Sequence, residues 1–291
     1  MLKFQHKRLN VRVSSGPIHR LPGNRVYTRA DLVRSFSNAG VSAGDTLMLH
    51  ASVRAVGEIA GGPDTIHLAL KDVLTESGTL FMYAGCPRYA DEVGRGNLSE
   101  AEEAEVLEKL PPFDAETARS DRSNGALVEM LRTWPGSKVN DHVARFTAWG
   151  SQADHLLSTT PWDYAFGAGS IFERFVALNG KILLLGSDHD NVTFLHYAEH
   201  IVEIPGKIVA RFKVPVLENG VRVWKDMEEF DTSRGAHPSW SEHIFAEIVD
   251  GFIEARGVKP GRAGDAEAWL LDARPLLEFA LADMKRRAGA D

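Results

Sequence analysis

Two periods of apolar residues alternate along this chain. From Ile182 to Leu185 the apolar positions run without a break, as in a strand buried on both faces. A polar turn opens at Gly186, and from about Val192 the spacing becomes that of an amphipathic helix, with Asn191 or Asp190 placed to cap it. Similar reasoning predicts a helix from Arg29 to Asn38, capped by Thr28 and stopped by Gly40, then a strand over Thr46–His50. Pro63 takes the favoured first position of a helix reaching about Glu76, and Leu80–Tyr83 forms the next strand. Further helices are expected at 99–110, 124–133, 170–178, 239–256 and 274–287, with a strand at 145–149. Lys207–Val216 and Val221–Lys225 flank Glu218-Asn219-Gly220, a hairpin signal. Strands alternating with helices, followed by a C-terminal hairpin, imply an α/β fold with a mixed central sheet covered by helices on both faces.

Residues 1–25 stand apart. Seven basic residues and no acid precede Asp31, among turn formers such as Ser14, Gly16 and Pro22, so a poorly ordered basic arm is expected ahead of one domain over 26–291. A second interruption is acidic. Nine carboxylates face only Arg95 and Lys109 between Asp91 and Glu116, which accounts for the whole net charge of −7. This window reads as a solvated helix or as a negative field that attracts a polycation. A smaller acidic helical insertion is expected there, around 86–122.

The remaining composition narrows the function classes. No basic stripe suggests nucleic acid, and no apolar run reaches the roughly 20 residues of a membrane span. The beginning of the chain has no secretory h-region, and Cys86 is the single cysteine, so a cytoplasmic protein without disulfide or structural zinc is expected.

Chemistry concentrates in Lys181–His200, where a strand ends and launches a helix, the place where open α/β sheets put their ligands. His196 and Glu199 are spaced i, i+3 on one helix face, so they read as a general base with its carboxylate or as a plain surface contact. His196-Tyr197-Ala198-Glu199-His200 also fits H-x-x-E-H, the inverted zinc-peptidase pattern, with Glu228, Glu229 or Asp231 available as a third ligand. Around His50–Arg54, small residues with Gly61-Gly62 let backbone amides approach a ligand, although neither nucleotide-binding glycine fingerprint occurs. Three carboxylates within Glu228–Thr232 suit a cation, a substrate's ammonium groups, or a solvated strand end.

Longer blocks go further. AGDTLMLHASVRAVGEIAGGP (ending at Pro63), GTLFMYAG (78–85), PPFDAETA (111–118), LRTWP (131–135), LLLGSDHDNVTFLHYAE (183–199) and VWKDMEEFDT (223–232) occur in order. With these blocks the chain, from about Tyr27 to Arg287, resembles the aminoglycoside 3-N-acetyltransferases. The resemblance implies acetyl transfer from acetyl-coenzyme A to the 3-amino group of a 2-deoxystreptamine ring, giving antibiotic resistance. It also implies an α/β architecture distinct from the GNAT acetyltransferases, and no metal. By the resemblance His196 is the catalytic base, with Glu199 or an acid after the hairpin as its partner. Ser52, Val53, Arg54 and Thr193 lie along the acyl donor, and Tyr83, Asp114, Glu229 and Asp231 face the aminoglycoside. The chain departs from relatives in lacking a proline near Asp141-His142-Val143 and in carrying Cys86 where tryptophan is common, which bears on substrate range. An N-acetyltransferase for another small amine, such as a phosphonate antibiotic precursor, is the alternative in the same fold, and the zinc hydrolase a rival outside it. A monomer and a homodimer are both compatible.

Overall fold

The computed structural model describes residues 25–86, Val93, 98–232 and 235–290. The basic arm, apart from Arg25, and much of the start of the acidic insertion lie outside these residues. The strands are β1 (Val26–Tyr27), β2 (Thr46–Ala51), β3 (Glu58–Ile59), β4 (Thr79–Tyr83), β5 (Lys138–Val139), β6 (Phe146–Gly150), β7 (Lys181–Leu185), β8 (Val209–Glu218), β9 (Val221–Phe230), β10 (Gly261–Ala263) and β11 (Ala266–Asp272). Seven of them form one sheet in the order β10-β11-β7-β2-β4-β6-β5. β7, β2 and β4 are parallel, and the outer strands pair antiparallel, so the sheet is mixed.

Strand periodicity explains how this sheet is buried. Leu47 and Leu49, Leu80 and Met82, Leu183 and Leu185 point into one core, while Met48, Phe81, Ile182 and Leu184 point into the other. The first core is closed by α1 (Arg29–Asn38), α3 (Asp64–Leu74) and α5 (Ala126–Thr133). The second is closed by α7 (Ile171–Ala177), α8 (Leu195–Ile201), α9 (Ile244–Arg256) and α10 (Ala273–Arg287). Short α2 (Val53–Val56) follows β2, and α6 (Ala153–Leu157) follows β6.

Local signals placed most element ends. Thr28 caps α1 in a capping box with Asp31, and Ser99 does the same with Glu102 for α4 (Glu100–Lys109). Pro63 sits just before α3 rather than within it, and that helix stops at Leu74, where Thr75 takes a positive φ of 61°. The β8–β9 hairpin is longer than expected and forms its own two-stranded sheet. Its apolar face packs with Phe113 and Ala118 of the insertion, and Phe113 bridges to Val216.

The largest difference concerns the helix after β7. Asp188, not Asp190 or Asn191, accepts the capping bond, and what it caps is a 3-10 turn over His189–Asn191. The α-helix starts only at Leu195, after Phe194, with no side-chain cap. Asp190 is instead drawn away by α9, accepting from the Ala246 amide at 2.8 Å and pairing with His243 at 2.7 Å.

Candidate active site

β2 leads through α2 and β3 to α3 on one face of the sheet, and β7, its parallel neighbour, leads to α8 on the other. The strand order reverses between them, which opens a crevice at their carboxyl ends. Gly186 makes the first turn out of β7 with φ 57°, and a Cβ there would lie 2.4 Å from the Ala55 methyl. Only glycine lets the two loops approach this closely.

A cavity of about 400 Å³ occupies the crevice, walled by His50, Tyr83, Asn124, Asp190, Thr193 and His196, among others. Tyr83, Phe166 and Thr232 also line a recess of about 240 Å³ over the hairpin, which adds Cys86, His142 and Glu229. Asp190, His196 and Thr232 continue into a third recess of about 350 Å³, with Glu199, Glu242 and His243. The shared walls make one branched cleft: Thr232 lines all three branches, and His196 stands where the central cavity meets the third recess. Among the described residues no Lys or Arg lines any of the three branches.

His196 is the second residue of α8, stacked on Phe166 at 5.3 Å and against the edge of Phe245 at 4.9 Å. Its Nδ1 lies 2.7 Å from the Glu199 carboxylate, whose side chain is 1% exposed. A carboxylate only accepts, so Nδ1 carries the proton and Nε2 is left as the basic nitrogen. The expected i, i+3 pair therefore forms.

The other expected residues are placed as follows. Thr193 and Tyr83 line the central cavity. Ala51 does too, but Ser52, Val53 and Arg54 are not among its walls, and the Ser52 amide is already bound to the Leu185 carbonyl at 2.9 Å. Glu229 lines the hairpin recess, yet its carboxylate also receives the His200 ring and the Ala165 amide. Asp231, two residues further on, is buried, its amide bound to the Ile208 carbonyl. Asp114 lies in the insertion, away from the cleft walls, and accepts from the Glu116 amide at 3.0 Å and the Thr117 hydroxyl at 2.6 Å. His200, which H-x-x-E-H would turn toward a metal beside His196, has both ring nitrogens engaged, by the His196 carbonyl and by Glu229. Burial pushes the Cys86 thiol up to about 12, so it is held protonated and unreactive.

The pattern of the sequence did not reveal Phe166, Phe245, Asp190 or Thr232 as wall residues. Asp190 and Thr232 alone had a signal, as letters of LLLGSDHDNVTFLHYAE and VWKDMEEFDT. His50 marks the end of β2, and its Nε2 is shut off from solvent without a partner. Burial holds its imidazole down at about 4, and His142 in the hairpin recess is lowered to about 4 for the same reason. The unfolded chain takes up these protons below about 6.5, the folded chain only near 4, so stability is full above that range and is lost as pH falls through it. His50→Asn should make the acid-side loss between those limits shallower by up to about 3 kcal/mol, measured by urea unfolding at stepped pH. An unchanged slope would show that His50 titrates normally.

Residues 48–285 match the family described as aminoglycoside 3-N-acetyltransferase. The chain belongs to that family. It is thus an acetyltransferase, and it is 40% identical over 267 residues to aminoglycoside N(3)-acetyltransferase III of Pseudomonas aeruginosa, covering 91% of this chain and 96% of that one. Among solved structures it is similar to AAC-IIIb in binary complex with CoASH, with TM-score 0.85 and 36% identity over 92% of this chain and 99% of that one. It is also similar to sisomicin-bound AAC-VIa, with TM-score 0.83 and 30% identity over 91% of this chain and the whole of that one. Family membership also accords with a mixed α/β sheet rather than a GNAT fold. Among the described residues no helix is long and apolar enough to cross a membrane.

Proposed function

We propose that this chain transfers the acetyl group of acetyl-coenzyme A to the 3-amino group of 2-deoxystreptamine aminoglycosides, with His196 as general base. The observation that carries the reading is the His196–Glu199 pair where two branches meet in a cleft that holds carboxylates and no described Lys or Arg. An aminoglycoside is a polycation at neutral pH, and such a cleft favours it while excluding an anionic amine. Asp190, Glu199 and Glu242 supply the negative field near His196, with Glu229 on the hairpin side and Tyr83 as a neutral wall residue. Asp114 and Asp231 act, in this reading, at longer range.

An ammonium has no lone pair, so the attacking nitrogen must lose its proton. His196 Nε2 takes that proton while Glu199 holds Nδ1 and balances the charge that develops on the ring, which is worth about 10²–10⁴-fold in rate. The acyl donor supplies an activated thioester carbonyl and a good leaving group. Its arm is placed along Thr193 and the Ser52–Arg54 turn, where the Val53 and Arg54 amides rather than that of Ser52 are candidates to face the oxyanion. Direct transfer needs no enzyme nucleophile, in keeping with the protonated Cys86. A cytoplasmic location, where acetyl-coenzyme A is made, suits this chemistry.

The test is thiol release from acetyl-coenzyme A across aminoglycosides with and without a free 3-amine. Turnover should require the free 3-amine. Equal turnover on both sets would refute the position assigned, and no turnover on any would refute the substrate class.

A further inference from the structure

The second histidine of H-x-x-E-H has no part in the chemistry above, yet it is among the most firmly held side chains near the site. We infer that His200 is a positioning residue, tying the catalytic helix α8 to the base of the β8–β9 hairpin through Glu229. This inference rests on the acetyl-transfer reading of the same site.

α8 needs such a tie. It has seven residues and no side-chain N-cap, and a helix that short has little stability of its own. The orientation of His196 and Glu199 must therefore come from what α8 is fastened to. His200 is 1% exposed at its side chain and lies one turn after His196. Its Nδ1 donates to the His196 carbonyl at 2.6 Å, and its Nε2 is hydrogen-bonded to Glu229. Both ring nitrogens are engaged, which fixes the plane of the ring between α8 and the hairpin. Glu229 in turn accepts from the Ala165 and Phe230 amides at 2.9 and 3.2 Å, which fixes it in place.

A second fastening lies beside the first. Lys207 Nζ donates to the Glu199 and His200 carbonyls at 3.1 and 2.7 Å, at the carboxyl end of α8, where a cation is favoured. It sits 4.2 Å from the Phe230 ring. Lys207 leads into β8 and Glu229 pairs with Ala210, so both ties reach α8 from the open base of one hairpin. Phe166 completes the connection, stacked on His196 and edge-on to His200 at 5.9 Å. The hairpin that walls one branch of the cleft thus also sets where the base stands.

The experiment compares wild type, His200→Asn, Glu229→Gln, Glu229→Ala and the His200→Asn/Glu229→Ala double variant by thiol release with an aminoglycoside bearing a free 3-amine. Circular dichroism checks folding in each. His200→Asn should lower kcat by about 10²-fold, the cost of a small misplacement of catalytic groups, with the acetyl-coenzyme A KM unchanged. Glu229→Gln keeps an acceptor for the ring and should lose less than Glu229→Ala. The double variant should be no worse than its poorer single parent, since the two act as a unit. Wild-type kcat in His200→Asn, or losses that multiply in the double variant, would overturn the inference. If His200→Asn does not fold, the ordering of the two Glu229 variants decides, and equal kcat in both overturns it. If wild type acetylates no aminoglycoside, the function reading fails instead. The tie is then judged from the His196 ring resonances in ¹H–¹⁵N spectra, which must shift in a folded Glu229→Ala variant and overturn the tie if they do not.

Discussion

His196→Ala is expected to reduce kcat for aminoglycoside acetylation by about 10²–10⁴-fold, the usual contribution of a positioned general base, while acetyl-coenzyme A binding by calorimetry stays near that of wild type. The separation follows from the geometry. His196 lines the central cavity with Nδ1 committed to Glu199, so the ring's chemical capacity lies in one nitrogen. Removing the ring also removes contacts to Phe166 and Phe245, so His196→Gln, which keeps more of the bulk, serves as control. Both variants should be equally inactive. A glutamine variant that turns over near the wild-type rate would show that the imidazole packs the site and moves no proton. Glu199→Gln should fall between these limits, because it keeps an acceptor for Nδ1 but removes the charge that balances the imidazolium.

Much of this site was legible in the sequence because its signals are local. An unbroken apolar run up to Leu185, a glycine that alone fits the turn, and two titratable residues at helical spacing are all read within twenty positions. The same stretch also shows where local reading fails. Asp190 looked like a cap because aspartate before an apolar run usually is one, but it bonds to His243 and Ala246 on α9, more than fifty residues away. His200 looked like the second ligand of a metal motif, and its actual partner, Glu229, comes from the hairpin. The walls supplied by Phe166 and Phe245 carry no periodic mark, since the contact that gives each its role is with His196 rather than with its own element. In the fold, β10 and β11 escaped notice although Ala266–Asp272 pairs along the whole of β7, because that partner is some eighty residues distant. Two-residue strands such as β1, β3 and β5 are too short to show any period.

Phe172→Ala should have the largest effect on stability and an effect on catalysis that stability does not explain. Phe172 is fully buried, packed edge-on against Phe146 at 5.4 Å and Phe194 at 5.6 Å, with Phe166 at 5.9 Å. Truncating such a ring costs about 3–5 kcal/mol through lost transfer energy and the cavity left behind, or roughly 10 °C in melting temperature for a chain of this size. The rings it touches are not neutral bystanders. Phe194 immediately precedes α8, and Phe166 is the platform on which His196 stacks. Phe36, equally buried but on α1 beneath the other face of the sheet, supplies the comparison. Phe36→Ala should lose similar stability yet keep its kcat at temperatures where it remains folded. Phe172→Ala, held to the same folded fraction, should lose kcat as well, because the support of Phe166 under the base has gone. Equal kcat in the two variants would mean that the aromatic cluster holds the fold together without holding His196 in place.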